Sequence, residues 1–129
     1  MPRKQVIHPG DMYPTAGYAR AVRTGNTIYI AGTIAKNDQN EIVGIGDVER
    51  QARQVFENIG RILKAAGATF DDMVKMNIYA IRAEDRMTIL NVRDRYVKRE
   101  GYVSTYIVPR ALAAPELLVE IEAVAVVED

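Results

Sequence analysis

Between Asp47 and Gly67, the residues Val48, Ala52, Val55, Phe56, Ile59, Ile62, Leu63 and Ala66 recur at intervals of three and four. That spacing puts them on one face of a helix, with Asp47 placed to cap the first turn and Gly67 to stop the last. A helix with a single apolar stripe must bury it against another element. On both sides of this segment the period changes from three or four to two, so the partner is a sheet.

Upstream, the β-prone runs Tyr18–Thr24 and Thr27–Gly32 flank Gly25-Asn26, two residues that tolerate the positive φ of a tight hairpin. Lys4–Ile7 is read as a short first strand. Downstream come a strand at Val74–Ile81 and a second helix over Glu84–Arg99, with Met87, Leu90 and Val97 on its inner side and Gly101 at its end. Strands at Val103–Val108 and Leu117–Val127 follow, separated by the turn-forming Ala-Ala-Pro-Glu at 113–116. The order β-β-β-α-β-α-β-β predicts an α+β chain with a single domain over 1–129, a two-layer sandwich with two helices on one face of a mixed sheet. The loop Lys36–Gly46, rich in Asn, Asp, Gln and Gly, reads as an exposed, mobile flap.

The final strand adds a constraint. Val119, Ile121, Ala123 and Ala125 point one way; Glu120, Glu122, Val124 and Val126 point the other. The first set is core. The second mixes carboxylates with valines, which suits a pocket or a subunit interface, and oligomerisation is the economical way to cover a sheet face that has no helices.

Composition narrows the chemistry. With no cysteine and one histidine, disulfides, thiolate metal sites and a histidine-rich metal site within one subunit are excluded, and no metal or cofactor is expected. Seventeen basic and seventeen acidic residues leave no global charge to attract nucleic acid or an anionic membrane. No apolar run approaches the roughly 20 residues that span a bilayer, and MPRKQVIHPGDMYP has no apolar stretch behind its basic residues, so a cytoplasmic location is expected. His8, beside Pro9-Gly10, reads as exposed and incidental.

Four ordered blocks carry a resemblance: Tyr18-Ala19-Arg20-Ala21-Val22 with Gly25-Asn26; Ile28-Tyr29-Ile30-Ala31-Gly32; Gln51-Ala52-Arg53-Gln54-Val55-Phe56-Glu57-Asn58-Ile59; and Leu118-Val119-Glu120-Ile121-Glu122-Ala123-Val124-Ala125. Ile62-Leu63-Lys64-Ala65-Ala66-Gly67 and Val74-Lys75 fall between them at the expected spacing. Covering almost the whole chain, these resemble the Rid (YjgF-like) imine deaminase family. The resemblance implies a chorismate mutase-like fold, a homotrimer, and a small-molecule pocket in each cleft between subunits. It also implies cofactor-free hydrolysis of enamines and imines such as 2-aminoacrylate to 2-keto acids and ammonia. In that family an arginine within P-A-R-S/T grips the substrate carboxylate, a task suited to the planar, bidentate guanidinium.

Counting back from Val119-Glu120-Ile121-Glu122-Ala123 lays the P-A-R-S/T motif on Tyr102-Val103-Ser104-Thr105, so Ser104 stands where the arginine is expected. A serine hydroxyl offers one neutral hydrogen bond in place of a charged fork. Ala31 replaces the family's serine in the hairpin block, and Tyr106 replaces a common cysteine. Tyr18, Asn91 and Glu120 match. By resemblance, Glu120 and Tyr18 are the catalytic candidates, and Ala31, Asn91, Ser104 and Tyr106 line the ligand. Arg20, two residues from Tyr18, and Arg110, after Pro109, are candidate replacements for the lost cation, against the simpler reading of each as a solvated or interface arginine. Two functions follow: a small-metabolite-binding relative that is not a standard 2-aminoacrylate deaminase, or a hydrolase of atypical enamines and imines.

Overall fold

A computed structural model describes residues 4–98 and 100–128. Its elements are β1 (Gln5–Ile7), β2 (Ala21–Thr24), β3 (Thr27–Thr33), α1 (Val48–Ala65), β4 (Met73–Ala80), α2 (Arg86–Tyr96), β5 (Val103–Ile107) and β6 (Val119–Val126). The strands form one sheet in the order β1-β2-β3-β6-β4-β5. Only β4 and β5 run parallel, as their helical crossover through α2 demands; the other pairs are antiparallel. The element order and the α+β class are as the sequence predicts.

Asp47 caps α1 by accepting from the Arg50 amide at 3.1 Å. The predicted stripe is buried: Ala52, Val55, Phe56, Ile59, Ile62 and Leu63 meet Met76, Ile78, Ile121, Ala123 and Ala125 of the sheet in one cluster. Phe56 stacks on Tyr96 of α2 with ring centroids 5.5 Å apart, which joins the two helices above that core.

Two buried polar side chains tie loops to α1. Gln51 donates to the Glu116 carbonyl at 2.8 Å and accepts from the Leu118 amide at 2.8 Å, so the turn before β6 is pinned to the helix. Asn58 donates to the carbonyls of Ile34 and Lys36. Those two bonds, the Lys36–Ile42 bridge and the Asn37 side chain, which accepts from the amides of Gln39 and Glu41, hold the 36–46 loop in a defined hairpin. Its polar residues serve local hydrogen bonds.

Several boundaries move. The β2 strand begins at Ala21, leaving Tyr18 and Arg20 in the preceding bend. The second helix is preceded by a 3-10 turn at Ala83–Asp85 and ends at Tyr96, because Val97 takes an extended backbone conformation (ψ 98°) while its amide still donates to the Arg93 carbonyl. The charged stretch 94–100 is therefore only partly helical, and Arg99, the expected end of that helix, lies outside the described residues. Leu117 and Leu118 are buried in the turn before β6.

Candidate functional site

Partners in register on neighbouring strands share a face, so the ladders sort every strand residue to one side of the sheet. One row runs Ile7, Ala21, Ile30, Ala123, Met76 and Ser104; a second contains Thr33, Ile121, Ile78 and Tyr106. Both rows lie on the helix side, where all but Ser104 and Tyr106 are buried. The opposite face has the row Val6, Val22, Tyr29, Val124, Lys75 and Val103, then Glu122, Asn77 and Thr105, then Glu120, Tyr79 and Ile107. No helix covers it.

That open face holds a cavity of about 540 Å³ whose lining includes Tyr18, Tyr29, Ala31, Lys75, Asn77 and Glu122. Its floor is mostly apolar and its charged groups come from β4 and β6. Tyr79 donates to Glu122 Oε1 at 2.6 Å, and Asn77 Nδ2 donates to the same oxygen at 3.1 Å. These two bonds, Tyr79's first, hold the Glu122 carboxyl below its ordinary range, and the Tyr79 hydroxyl is raised in return by that bond. Two residues along β6, Glu120 is pushed up by burial and then by the charge of Glu122. Its carboxylate lies over Gly32 in the irregular stretch of β3 opposite β6, where a Cβ would overlap Glu120 Oε2. A glycine is what lets the carboxylate fold down onto the strand.

The predicted site residues separate into two groups. Tyr18, Ala31 and Glu120 come to the open face, Tyr18 and Ala31 at the cavity wall and Glu120 beside it, two residues from Glu122. The others do not join them. Ser104 is in register with Met76, and Tyr106 donates from its hydroxyl to the Arg82 carbonyl at 3.0 Å beside the start of α2. Both are on the helix side, so the count that put the arginine's position at Ser104 is one residue off the face that bears Glu120. The residue of β5 in register with Asn77 there is Thr105. Asn91 is exposed on α2, also across the sheet. Arg20 is buried, its guanidinium 4.2 Å from the centre of the Tyr13 ring and bonded to the Tyr13 carbonyl, and Arg110 is exposed in the β5–β6 connection; neither lines the cavity.

Asn77 and Tyr79 were not among the sequence candidates, and Glu122, Lys75 and Gly32 were read there only as part of a strand face or a matching block, with no site role. The signal was present: Lys75, Asn77 and Tyr79 alternate with the buried Met76, Ile78 and Ala80, as Glu120 and Glu122 alternate on β6. Among the described residues no group of three potential ligands is close enough to hold a metal ion, and no helix is long and apolar enough to cross a membrane.

Comparison with known proteins agrees with this architecture. The family described as Endoribonuclease L-PSP matches residues 10–127. The 3-aminoacrylate deaminase RutC of Acinetobacter baylyi is 32% identical over 97% of this chain and 98% of its own length. A 2-iminobutanoate/2-iminopropanoate deaminase of Dermatophagoides farinae is 30% identical over 98% of each. The crystal structure of RidA from an Antarctic Psychrobacter superposes with a TM-score of 0.88 at 29% identity, covering 95% of this chain and 99% of that one.

Proposed function

Since this chain belongs to the Endoribonuclease L-PSP family, that of the Rid proteins, we propose that it binds a small metabolite on the open face of its sheet and is not a standard 2-aminoacrylate deaminase. The observation that carries the proposal is the row Glu122, Asn77, Thr105: β5 brings a threonine, not a guanidinium, to the face that carries both carboxylates. A ligand carboxylate there meets Glu120 and Glu122 without the bidentate partner that would offset their repulsion. The same two carboxylates disfavour a phosphodiester backbone, so the endoribonuclease label gains no support from this site.

The cleft is completed, in this reading, by further copies of the chain in a homotrimer. Support comes from the exposed apolar residues Val6, Tyr29 and Val103, which share one row across the uncovered face. A solution mass of three chains is expected; a monomer at micromolar concentration removes the cleft.

The test of function is ammonia and keto-acid release from freshly generated 2-aminoacrylate, with a RutC or RidA relative as positive control. Release at the uncatalysed rate is expected, together with stabilisation by some small metabolite in a thermal-shift screen. Turnover matching the relatives overturns the proposal.

A second reading, hydrolysis of an atypical enamine or imine, is favoured by the opposed environments of Glu120 and Glu122 and by the deaminase names of the relatives. Burial raises the Glu120 carboxyl, which favours its protonated form and suits it to donate a proton. In that reaction an enamine first tautomerises to its imine; Glu120 gives a proton to the imine nitrogen and takes one from the water that adds to the C=N carbon, then gives a second proton to the carbinolamine nitrogen and recovers the hydroxyl proton as the C–N bond breaks, leaving ammonia, a carbonyl compound and the starting carboxyl. Loss of turnover in Glu120→Gln with unchanged ligand binding distinguishes it from binding alone.

A further inference from the structure

Arg20 is 5% exposed, and among the described residues no carboxylate pairs with it. A buried guanidinium is costly without such a partner, and an apolar chain of similar length would fill the space at less cost. What the guanidinium adds is a double grip on one residue, Tyr13. It lies over the Tyr13 ring and donates to the Tyr13 carbonyl, so it fixes both the side chain and the backbone of that residue. Tyr13 and Arg20 are the two ends of the loop that carries Tyr18. Both ends are moored beside β3: the Tyr13 hydroxyl accepts from the Ile34 amide at 3.3 Å, and the Arg20 carbonyl accepts from the Ala31 amide at 3.0 Å. These anchor points flank Gly32, the seat of the Glu120 carboxylate. Between them the 14–19 segment turns through Gly17 at φ 81°, and the Thr15 hydroxyl donates to the Tyr18 carbonyl. Tyr18 is 57% exposed at the cavity wall, so the closure of its loop, and not its own packing, decides where the phenol stands.

We propose that Arg20 is a positioning residue for the metabolite site: by clasping Tyr13 it closes the 14–19 loop and holds the Tyr18 phenol at a set place relative to Glu120. The inference rests on the small-metabolite reading above and adds the residue that orders the rim of that site. A loop closed at its base has few conformations left to lose when a ligand arrives, so a contact made by Tyr18 costs less ordering entropy than one made from a free loop. The clasp thus gives Tyr18 a rigid support although it lies outside any strand.

The experiment is nitrogen-15 relaxation of the amides of residues 15–19, with spectra of ring-carbon-labelled tyrosine, on the full-length protein and on Arg20→Met, Arg20→Lys and Tyr13→Leu. In the native protein the loop amides should be as ordered as those of β3, with order parameters near about 0.85. Arg20→Met fills the volume without the charge or the donor. It should drop the loop below about 0.6 and move the Tyr18 ring signals to those of a tyrosine in the unfolded chain, while the signals of Tyr29, on β3 at the same cavity, stay in place. Tyr13→Leu should reproduce this, and the double variant should be no worse than Tyr13→Leu alone, because the clasp is already gone. Arg20→Lys, a charged donor without the flat plane, should fall between native and Arg20→Met. An arginine that only stabilises the core would lower the melting temperature and leave the loop ordered. That outcome in Arg20→Met overturns the proposal, and so does a native loop that is already disordered. Should Arg20→Met not fold, a native-like loop in Arg20→Lys overturns it. The loop is read without ligand, so this result and the thermal-shift screen fail independently of each other.

Discussion

Tyr79 donates a 2.6 Å hydrogen bond to Glu122 Oε1, although it sits in register with Glu120, the other carboxylate of β6. That diagonal bond makes two glutamates on one strand unlike each other. The bonds from Tyr79 and Asn77 lower the Glu122 carboxyl from its ordinary value, while burial and then the charge of Glu122 raise that of Glu120. The pair places two carboxyls shifted in opposite directions on one sheet face.

Their effects on stability have opposite signs. The lowered carboxyl of Glu122 contributes stability that is present above about pH 4.5 and is lost as pH falls through its folded-state value. The raised carboxyl of Glu120 contributes stability that is present below about pH 4.5 and is lost as pH rises through its folded-state value. Urea unfolding from about pH 3 to pH 7 should therefore show a weaker acid-side loss in Glu122→Gln and a weaker loss above pH 4.5 in Glu120→Gln. Tyr79→Phe should move the Glu122 titration upward in carboxyl-detected NMR.

Gly32→Ala tests the seat of Glu120. The new Cβ overlaps the Glu120 carboxylate, the far end of a flexible side chain, so the fold should survive with a loss below about 1 kcal/mol. The displaced carboxyl leaves its partly buried position, and its titration should fall toward the ordinary glutamate range. A large loss of stability with an unchanged Glu120 titration contradicts this account of the glycine.

Gln51→Leu tests the clamp before β6. The substitution keeps an apolar side chain in the core but strands the buried Leu118 amide and the Glu116 carbonyl. A loss of about 1–3 kcal/mol in denaturant unfolding is expected, with the β6 amides exchanging faster than those of β2. Equal exchange in both strands would assign Gln51 a general role in the core instead.

What was legible in the sequence follows from periodicity. The stripe from Val48 to Ala66 and the alternation on β6 gave α1, the last strand and the two faces, because burial on one side imposes those periods directly. The end of α2 was not legible: Tyr96 and Val97 are both partly or fully buried, and a helical period does not reveal that the backbone turns extended at Val97. The face of a candidate was legible where it lies on one strand, as with Glu120, and not where it depends on pairing between strands, as with Ser104. A linear count across the 108–118 connection cannot fix register to one residue, and a slip of one moves a side chain to the other face. The value of Tyr79, Asn77 and Lys75 arises only once β4 is placed between β5 and β6.

The slip itself predicts a pair of variants. Thr105→Arg puts a guanidinium in the row of Asn77 and Glu122, on the face of Glu120, whereas Ser104→Arg puts the same group in the row of Met76, on the helix side. Pyruvate, a small carboxylate, should bind Thr105→Arg at least about tenfold more tightly than the native protein, because a bidentate charged contact replaces a neutral hydroxyl. Ser104→Arg should leave pyruvate binding unchanged. Both positions are exposed on the edge strand, so neither variant strains the core and melting temperatures should stay close to native. A gain in Ser104→Arg with none in Thr105→Arg would return the arginine's position to residue 104 and remove the register argument, whereas the expected order makes the β4–β5 ladder the determinant of which residue reads the ligand's carboxylate.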